Sequence, residues 1–491
     1  MRALTARQYD VVVADLLADT TRPARVLERP SSETRFDNHA DWVGMDEVRL
    51  RFYLSAAEAL ANSAVSRQAT LFPCSRPAPA QEEACVGQIL DTFGRRAMRR
   101  TLLADERMNL LTVFRTVRAL PTASWDEALS AVLQVVLQSP QFLYVTEVGT
   151  PVDGAARPTA KLTALELATR LSLFLWGTVP DTELLDAAEQ GGLVTVEDVT
   201  RETRRLLADP KARTGYLHFA DQWLEVDALD SVTKNTTLFP QWSAALAGAS
   251  RTELQNFAAD SFTGGKSYGQ LLTDRATTLS PALATVYGAN AADLSLPEGR
   301  AGVLTRIAWL STHAHPEQTS PTLRGKAIRT RMLCEEISPP PPGVNVMLPN
   351  VVGPSTLRQR LAAHMMAGSS CYSCHVLMDP LGFGLEGFDA MGIARTTESG
   401  GLAIDSSGEL NPGMGQFTGA AQLSQRLAES PAANRCYLTQ VYRYAQGRTE
   451  TSKDRCHLDA AFSALGPGAS LQDIAVAVTT SDAFLFRESL P

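Results

Sequence analysis

Apolar residues recur at helical spacing along much of this 491-residue chain, and capping signals delimit several of the segments. In "MDEVRLRFYLSAAEALANSAV" (45–65) this spacing predicts one helix with a single apolar stripe. The stripe comprises Val48, Phe52, Leu54, Ala57 and Leu60. The segment "SWDEALSAVLQVVLQSP" (124–140) opens with a capping box formed by Ser124 and Glu127 and stops at a Ser-Pro pair.

Two further segments are predicted to be helices. The segment "LTALELATRLSLFLWG" (162–177) is apolar over much of its circumference and ends at Gly177, which indicates a buried helix. In "SRTELQNFAADSF" (250–262), Ser250 and Glu253 have the spacing of another capping box.

Strand signals are few. The clearest lies in "IARTTESGGLAIDSSGEL" (393–410), where two short runs flank the turn residues 399–401 and predict a hairpin. The expected fold class is therefore mainly α.

Composition excludes several classes of protein. Charged residues make up 20% of the chain and the net charge is −8, which argues against a general binder of nucleic acid or anionic membranes. No run of apolar residues is long enough for a transmembrane helix. The length suggests about two to four domains.

A Pro-rich segment interrupts the helical pattern. The residues "SPPPPGVNVMLPNVVGP" (338–354) lack charge and periodicity, and four consecutive prolines favour the stiff polyproline II conformation. We expect either a linker between a helical body and a separate C-terminal unit, or a loop packed on the body.

The C-terminal unit contains the motif C-x-x-C-H at Cys371, Cys374 and His375. This spacing is the attachment signature of a c-type haem, because two thiols one helical turn apart can reach both vinyl groups while the histidine faces the iron. Zinc is an alternative, but zinc prefers four ligands in two pairs, and His364 would complete only three. An inert pair of cysteines is the third possibility. The pattern favours one covalently bound haem c with iron ligated by His375.

The residues after the motif bear on this expectation. Asp379-Pro380-Leu381-Gly382 is predicted to end the motif helix. In small cytochromes c a proline carbonyl accepts the N–H of the proximal imidazole, and we expect Pro380 to do so here. The alternative role for Pro380 is a simple helix stop.

Several segments resemble the planctomycete-type large cytochrome c family, whose members are secreted and are also common in myxobacteria. The motif region "RLAAHMMAGSSCYSCHVLMDPLGFGLEGFDAMG" carries the strongest likeness. Other segments match in the same order; they are "LTARQYDVVVADLL", "FGRRAMRRTLLADE", "VLQSPQFLYVTE", "ELATRLSLFLWGTVPDTELLDAA", "FADQWL", "HPEQTSPTLRGKAIRTRMLCEEISPPPPGV", "IDSSGEL", "YRYAQGR" and "TSDAFLFR". The chain departs from the family pattern at Thr101, Gly387 and Ala394, none of which belongs to the haem attachment.

The resemblance implies a multi-helical body followed by a cytochrome c-like haem domain with a small β-hairpin. The expected domains are an N-terminal helical domain (1–70), a second helical domain (71–150), a central helical domain (158–337), the linker (338–354) and the haem domain (355–491). The family implies a cofactor and a compartment, periplasmic or at the cell surface, more than a reaction. The N-terminus lacks the apolar core of a signal peptide, so we expect that a leader was removed or never included.

Five cysteines lie outside the motif, and an oxidising compartment favours disulfides. Proximity in sequence predicts the pairs Cys74–Cys85 and Cys436–Cys456, with Cys334 left as a buried thiol. Five reduced cysteines are the alternative.

The sixth haem ligand decides between functions. Met414, in a glycine-flanked loop, is the first candidate. His364 and His457 are alternatives, whereas Met391 is expected to be core and Met378 to be poorly placed. A Met or His ligand suits electron transfer, and an open position permits peroxide or oxygen chemistry.

A second group of polar residues occupies "THAHPEQTSPTLRGK" (312–326). It comprises His313, His315, Glu317, Ser320, Arg324 and Lys326. This group either lines a distal pocket or forms a capped helix start at Ser320-Pro321, and the latter is favoured.

Outside that group, Arg395, Arg443 and Arg448 are candidates for haem propionates or solvated arginines. Asp405, Ser407 and Glu409 are interpreted as an Asx-type turn rather than a calcium loop.

We therefore expect an extracytoplasmic c-type cytochrome that transfers electrons to an unidentified redox partner. The second hypothesis is a haem oxidoreductase whose helical body shapes a pocket for a small-molecule substrate. The third is a non-catalytic surface protein that docks a redox partner.

Overall fold

A computed structural model describes residues 2–27, 36–42, 44–154, 158–338, 353–362, 364–366, 371–466 and 468–488. The fold is mainly α, as predicted. Most of the Pro-rich segment, residues 339–352, lies outside the described residues, so the predicted linker has no structural description.

The described part of the chain contains helices numbered α1 to α24 here. The helices before residue 150 are α1 (Ala6–Leu17), α2 (Glu47–Ser66), α3 (Gln68–Leu71), α4 (Glu82–Ile89), α5 (Arg95–Met98), α6 (Ala104–Arg118), α7 (Trp125–Gln138) and α8 (Pro140–Leu143). The central helices are α9 (Ala164–Leu175), α10 (Thr182–Glu189), α11 (Val196–Ala208), α12 (Pro210–Trp223), α13 (Ala244–Thr263), α14 (Tyr268–Thr273), α15 (Pro281–Tyr287), α16 (Ile307–Thr312) and α17 (Pro321–Ala327). The last helices are α18 (Leu357–Leu361), α19 (Tyr372–Phe383), α20 (Gly419–Glu429), α21 (Pro431–Gln446), α22 (Arg455–Ala464), α23 (Leu471–Thr479) and α24 (Asp482–Leu485).

Short strands join distant parts of the chain. The strands are β1 (Arg2–Ala3), β2 (Tyr144–Val145), β3 (Thr150–Pro151), β4 (Thr159–Lys161), β5 (Ser407–Asn411), β6 (Met414–Thr418) and β7 (Phe486–Glu488). All pairs are antiparallel: β1 with β2, β3 with β4, β4 with β7, and β5 with β6. Because β4 pairs with β7, the end of the described chain lies against the start of the central segment.

Two hydrophobic cores organise the helices. The first is formed almost entirely by residues 4–145 from α1 to α8 and the strand β2. The second comprises Phe36 and residues between Leu162 and Leu485, and it includes side chains on both sides of the Pro-rich segment, such as Trp309 and Leu381. The predicted central and haem domains therefore contribute to one continuous core.

Local capping signals were mostly confirmed. Helix α7 begins after the Ser124–Glu127 capping box, and α9 begins after an equivalent pair, Thr163 and Glu166. Helix α9 is buried, as its pattern predicted.

Two helix predictions were wrong in detail. In α2 only part of the predicted stripe is buried, because Ala57 and Leu60 are buried whereas Val48 and Leu54 are 70% and 55% exposed. The helix packs against α7 through a face rich in small residues, comprising Tyr53, Ala57, Leu60, Ala61 and Ala64. In α13 the N-cap is Ser243 and not the predicted Ser250. Ser250 and Glu253 therefore lie buried inside the helix.

The predicted hairpin lies further along the chain. Around residues 399–401 the two runs meet at a single bridge, Thr397 with Ala403. The regular hairpin is β5–β6, which continues the second run through a turn at residues 412–413.

The cysteine pairing was half right. Cys74 and Cys85 form a disulfide, as predicted. The second disulfide joins Cys334 to Cys436, which corrects the predicted Cys436–Cys456 pair and the predicted thiol at Cys334. Cys436 points into the protein from α21, whereas Cys456 lies exposed on α22.

This pairing makes a labelling prediction. When the protein is denatured without reductant and treated with iodoacetamide, we expect Cys456 to be the alkylated cysteine among the five outside the motif. Peptide mass mapping checks this. Alkylation of Cys334 with protection of Cys456 would contradict the pairing.

None of the helices in the described part of the chain is long and apolar enough to cross a membrane.

Candidate haem-attachment site

The motif residues lie at the start of α19. Cys371 occupies the N-cap position and Cys374 and His375 lie in the first turn. The His375 amide donates a hydrogen bond to the Cys371 carbonyl, 3.1 Å away. Both thiols are partly exposed and neither is in a disulfide. A helical turn therefore presents both sulfurs and the imidazole at one end of the helix.

A buried carboxylate orients the imidazole. The Nδ1 atom of His375 lies 2.8 Å from Oδ2 of Asp379, one turn later on the same helix. The carboxylate is fully buried, and its other oxygen accepts a hydrogen bond of 2.8 Å from the hydroxyl of Thr322 on α17. Because the carboxylate can only accept, Nδ1 must donate, which leaves Nε2 as the lone-pair nitrogen that could ligate a metal.

Pro380 does not have the predicted role. It lies inside α19, which continues to Phe383, so it neither ends the helix nor accepts from His375. Its carbonyl is directed at Gly408 on β5, where a Cβ atom would come within 2.1 Å of the oxygen. Asp379 takes the place that the sequence analysis gave to the proline carbonyl.

Two glycines bring α17 and α19 into backbone contact. A Cβ atom on Gly325 would lie 1.8 Å from the Met378 carbonyl oxygen, and one on Gly382 would lie 1.9 Å from the Pro321 oxygen. Each helix therefore places a glycine against the backbone of the other. This close approach brings Thr322 within reach of Asp379.

Buried arginines tie α19 and the residues that follow it to neighbouring elements. The guanidinium of Arg329 donates to the Leu377 carbonyl at 2.8 Å and to the Asn411 side chain at 2.8 Å, which ties the helix to the β5–β6 hairpin. The guanidinium of Arg324 donates to the Leu385 carbonyl at 2.9 Å and to the Asp389 carbonyl at 2.8 Å. Arg324 was a candidate for the distal pocket; it is fully buried and acts as a structural cross-link.

Glu386 completes the cluster around Arg324. It lies 3.4 Å from the guanidinium of Arg324 and 2.9 Å from that of Arg395, and it accepts a hydrogen bond from Thr319. Burial raises the pKa of Glu386, although both arginines act in the opposite direction.

His364 is the histidine closest to the motif among those considered above. Its ring and that of His375 meet edge to face with centroids 4.7 Å apart. Burial and the charge of His375 lower the pKa of His364. It follows α18, whose Leu357 and Leu361 pack on Phe383 of α19.

Met414 lies on another element. It is in β6, opposite Asn411, and its side chain is 63% exposed. Met391 and Met378 are buried, and Met391 belongs to the core as predicted. His457 lies on α22, 3.7 Å from Asp482.

Some residues of the polar group at 312–326 are buried and structural, and others are exposed. His313 is buried, with Nε2 2.8 Å from Glu225 and its ring against Trp309. Burial opposes ionisation of Glu225, but the hydrogen bond from His313 and the charge of Arg331 bring its pKa to about 2. His313 is therefore a core residue.

The remainder of this group forms a helix start and a cavity wall. Ser320 caps α17 and Pro321 is its first residue, as favoured. His315 is exposed overall, but partial desolvation of its ring and the charge of nearby Lys234 lower its pKa. A cavity of about 870 Å³ is lined by His315 and Glu317 on one side and by Arg360, Arg395 and Glu398 on the other. The body and the motif-bearing part of the chain form this cavity together.

The three arginines considered for propionates are engaged with protein carboxylates. Arg395 pairs with Glu386, Arg443 with Glu450 and Arg448 with Asp454. Asp405 accepts from the amide and hydroxyl of Ser407, which confirms the predicted Asx-type turn. In the ranges that the structure covers, no group of three His, Cys, Asp or Glu side chains is arranged to hold a metal ion.

The roles of Asp379, Thr322 and the glycine pair were not predicted from the sequence. Asp379 could have been found, since it lies four residues after His375 and therefore on the same helix face. Nothing in the sequence links Thr322 or Gly325 to a helix some fifty residues later, because tertiary packing brings them together.

Comparison with known families identifies five segments in chain order. Each segment matches the model of a family described as proteins of unknown function. The families and the residues matched are DUF1587 (2–66), DUF1595 (85–147), DUF1592 (162–289), DUF1588 (300–398) and DUF1585 (415–484). The DUF1588 match contains the motif at 371–375. No curated protein and no solved structure matches the chain. The chain thus carries in succession the five domains of the planctomycete-type cytochrome c family, which supports its resemblance to that family.

Proposed function

We propose that this protein is an extracytoplasmic c-type cytochrome. One haem is attached through thioether bonds to Cys371 and Cys374, and His375 is the proximal ligand. The protein transfers electrons to a redox partner that is not yet identified.

The orientation of His375 is the observation that carries the proposal. The two thiols and the imidazole share one helical turn, and Asp379 occupies Nδ1 so that Nε2 is directed away from the carboxylate. Metal-bound histidines typically donate their other ring N–H to a carboxylate or carbonyl. The residues at this site therefore suit a covalent haem.

Each neighbouring residue has a definable task. Asp379 holds the imidazole in one tautomer and increases its basicity, and Thr322 holds Asp379. The close approach at Gly325 and Gly382 keeps α17 against α19. The hydrogen bonds of Asp379 with His375 and Thr322 therefore do not depend on mobile loops. When bound, the haem supplies a one-electron couple at its iron.

An absorption spectrum tests the proposed function. The protein is made with a periplasmic leader and the haem-maturation machinery, reduced with dithionite and exposed to carbon monoxide. We expect a covalent haem spectrum that carbon monoxide does not change, because the iron is closed. Absence of haem from correctly folded protein would contradict the proposal.

Met414 remains the proposed sixth ligand. Its side chain is exposed on β6 and does not contribute to the core, so it is available to the cofactor. Met414→Ala is expected to open the iron to carbon monoxide, with Met366→Ala, another exposed methionine, as the control. If Met414→Ala stays closed, another residue is the ligand.

A second function is favoured by one arrangement. The carboxylate on the proximal histidine and the 870 Å³ cavity beside Arg360 and Arg395 suit a haem oxidoreductase acting on peroxide or oxygen. A shift of the wild-type spectrum with carbon monoxide would support this function over electron transfer.

Asp379→Asn is expected to raise the midpoint potential of the haem by about 60–120 mV. The anionic acceptor makes the imidazole a stronger donor, which stabilises ferric iron, and such partners change metal affinity by about 10–100-fold. Spectroelectrochemical titration measures the shift. Asp260→Asn, at an exposed carboxylate on α13, is the matched control. An unchanged potential in Asp379→Asn would mean that the carboxylate does not act on the iron.

A further inference from the structure

A second cavity, of about 840 Å³, lies away from the motif helix. It is bounded by β1 and β2 of the first core, by α9, and by residues 444–457 and 482–488 near the end of the chain. Cavities of this size typically accommodate a small organic molecule. The proposed haem function does not use it.

Basic groups in the wall outnumber the carboxylates available to them. Three carboxylates of the wall are paired with Arg or Lys; these pairs are Arg170–Glu147 at 2.6 Å, Arg448–Asp454 at 2.7 Å and Lys453–Glu488. The fourth carboxylate, Asp482, lies 3.7 Å from His457. Two guanidiniums remain, those of Arg2 and Arg487.

Neither remaining guanidinium has a carboxylate partner among the described residues. Arg2 donates to the side-chain oxygen of Gln8 at 3.0 Å, and Arg487 donates to the backbone carbonyl of Glu488 at 3.0 Å. Asp37 lies near Arg2, but its carboxylate is engaged by His218 and Gln222.

Glu147 is shared by three cations. Arg170 donates hydrogen bonds to both carboxylate oxygens of Glu147, and the charges of Arg2 and Arg487 also act on Glu147. Burial would raise the pKa of Glu147, but these arginines lower it. Arg2, Arg170 and Arg487 outnumber the two nearby carboxylates, Glu147 and Asp37, which leaves a local excess of positive charge in a partly buried place, where an anion gains most.

The rest of the wall is apolar and aromatic. Phe174 of α9, Tyr444 of α21 and Phe486 of β7 line the cavity together with Leu173 and Val145. A ligand that satisfies both parts of the wall needs an acid group and an apolar body.

We propose that this cavity binds a small organic anion whose carboxylate or phosphate pairs with Arg2 and Arg487 and whose apolar part packs on Phe174, Tyr444 and Phe486. Guanidiniums donate paired hydrogen bonds to the oxygens of both carboxylate and phosphate groups. The ring of the ligand gains by leaving water for the aromatic wall.

Isothermal titration of the full haem-bearing chain tests this site with three probes that share a phenyl ring. Benzoate and phenyl phosphate carry the acid group, and benzamide is neutral. We expect at least one anion to bind with a Kd below about 1 mM and benzamide to bind about tenfold to a hundredfold more weakly. The preferred anion identifies the acid group.

Charge variants locate the binding site. Arg2→Gln and Arg487→Gln are each expected to weaken anion binding by about tenfold to a hundredfold, while Arg2→Lys keeps most of it. Arg51→Gln, which removes an exposed guanidinium on α2, is the matched control and is expected to leave binding unchanged. Circular dichroism shows whether each variant folds. If Arg2→Gln does not fold, the Arg487→Gln variant provides the test.

Three results would overturn the proposal. They are failure of both anions to bind the wild-type protein, equal binding of benzamide, and unchanged anion binding by the folded Arg487→Gln variant.

Discussion

Gly325→Ala is expected to lower the free energy of unfolding by about 3 kcal/mol, the upper end of the usual cost of overpacking a core. The added methyl group would overlap the Met378 carbonyl oxygen, and a backbone atom cannot move aside as a side-chain tip can. The helices α17 and α19 must therefore separate. Gly382→Ala is expected to have a similar effect from the other side of the crossing. Chemical denaturation followed by circular dichroism measures both.

The same substitution at another helical glycine should raise, rather than lower, the free energy of unfolding. Gly248 is exposed in α13, and a Cβ atom there meets nothing within 4 Å. Gly248→Ala is expected to stabilise the protein by about 0.5–1 kcal/mol, because alanine is the better helix former. If Gly325→Ala is as stable as the wild type, the helices do not cross as closely as described. Separation of the helices should also weaken the Thr322–Asp379 hydrogen bond and shift the potential of the proposed haem.

Arg306→Met is expected to destabilise the protein by about 3–5 kcal/mol. Arg306 on the approach to α16 and Glu253 of α13 form an ion pair in which both side chains are essentially inaccessible to solvent. The carboxylate also accepts hydrogen bonds from Thr277 at 2.6 Å and Tyr287 at 3.3 Å. Removing the arginine leaves a buried, uncompensated charge. Denaturation midpoints of the two proteins provide the measurement.

A double variant distinguishes the cost of leaving the Glu253 charge uncompensated from the cost of losing the packing of the Arg306 side chain. Arg306→Met combined with Glu253→Gln removes the stranded charge but keeps an acceptor for Thr277 and Tyr287, and we expect it to be more stable than Arg306→Met alone. The control is Arg213→Met, which breaks the exposed Arg213–Asp260 pair on the same helix and should cost less than about 1 kcal/mol. Equal losses in Arg306→Met and Arg213→Met would contradict a special role for the buried pair.

The extent to which sequence predicted this structure depends on how local each signal is. The start of α7 was predicted because Ser124 and Glu127 satisfy backbone groups three residues apart. The same pattern at Ser250 and Glu253 failed, since Glu253 has its partner, Arg306, 53 residues away. A capping box and a buried ion-pair residue look identical until the tertiary contacts are known.

The cysteines illustrate the same limit. Cys74 and Cys85 are close in sequence and pair as predicted, whereas Cys436 pairs with Cys334 across 102 residues. The motif itself is local, so Cys371, Cys374 and His375 were predicted together and share one helical turn in the structure. The partners that orient His375 are local in one case, Asp379, and distant in the other, Thr322.

The central claim is that one haem is joined covalently to this chain through Cys371 and Cys374. The most direct measurement is mass spectrometry of the tryptic peptide 361–395, which contains both cysteines, from protein made with a periplasmic leader and the maturation machinery. We expect a peptide heavier by one haem, with no free thiol, and loss of that mass in the Cys371→Ala/Cys374→Ala variant. An unmodified peptide with two thiols that react with iodoacetamide, recovered from folded protein, would contradict it.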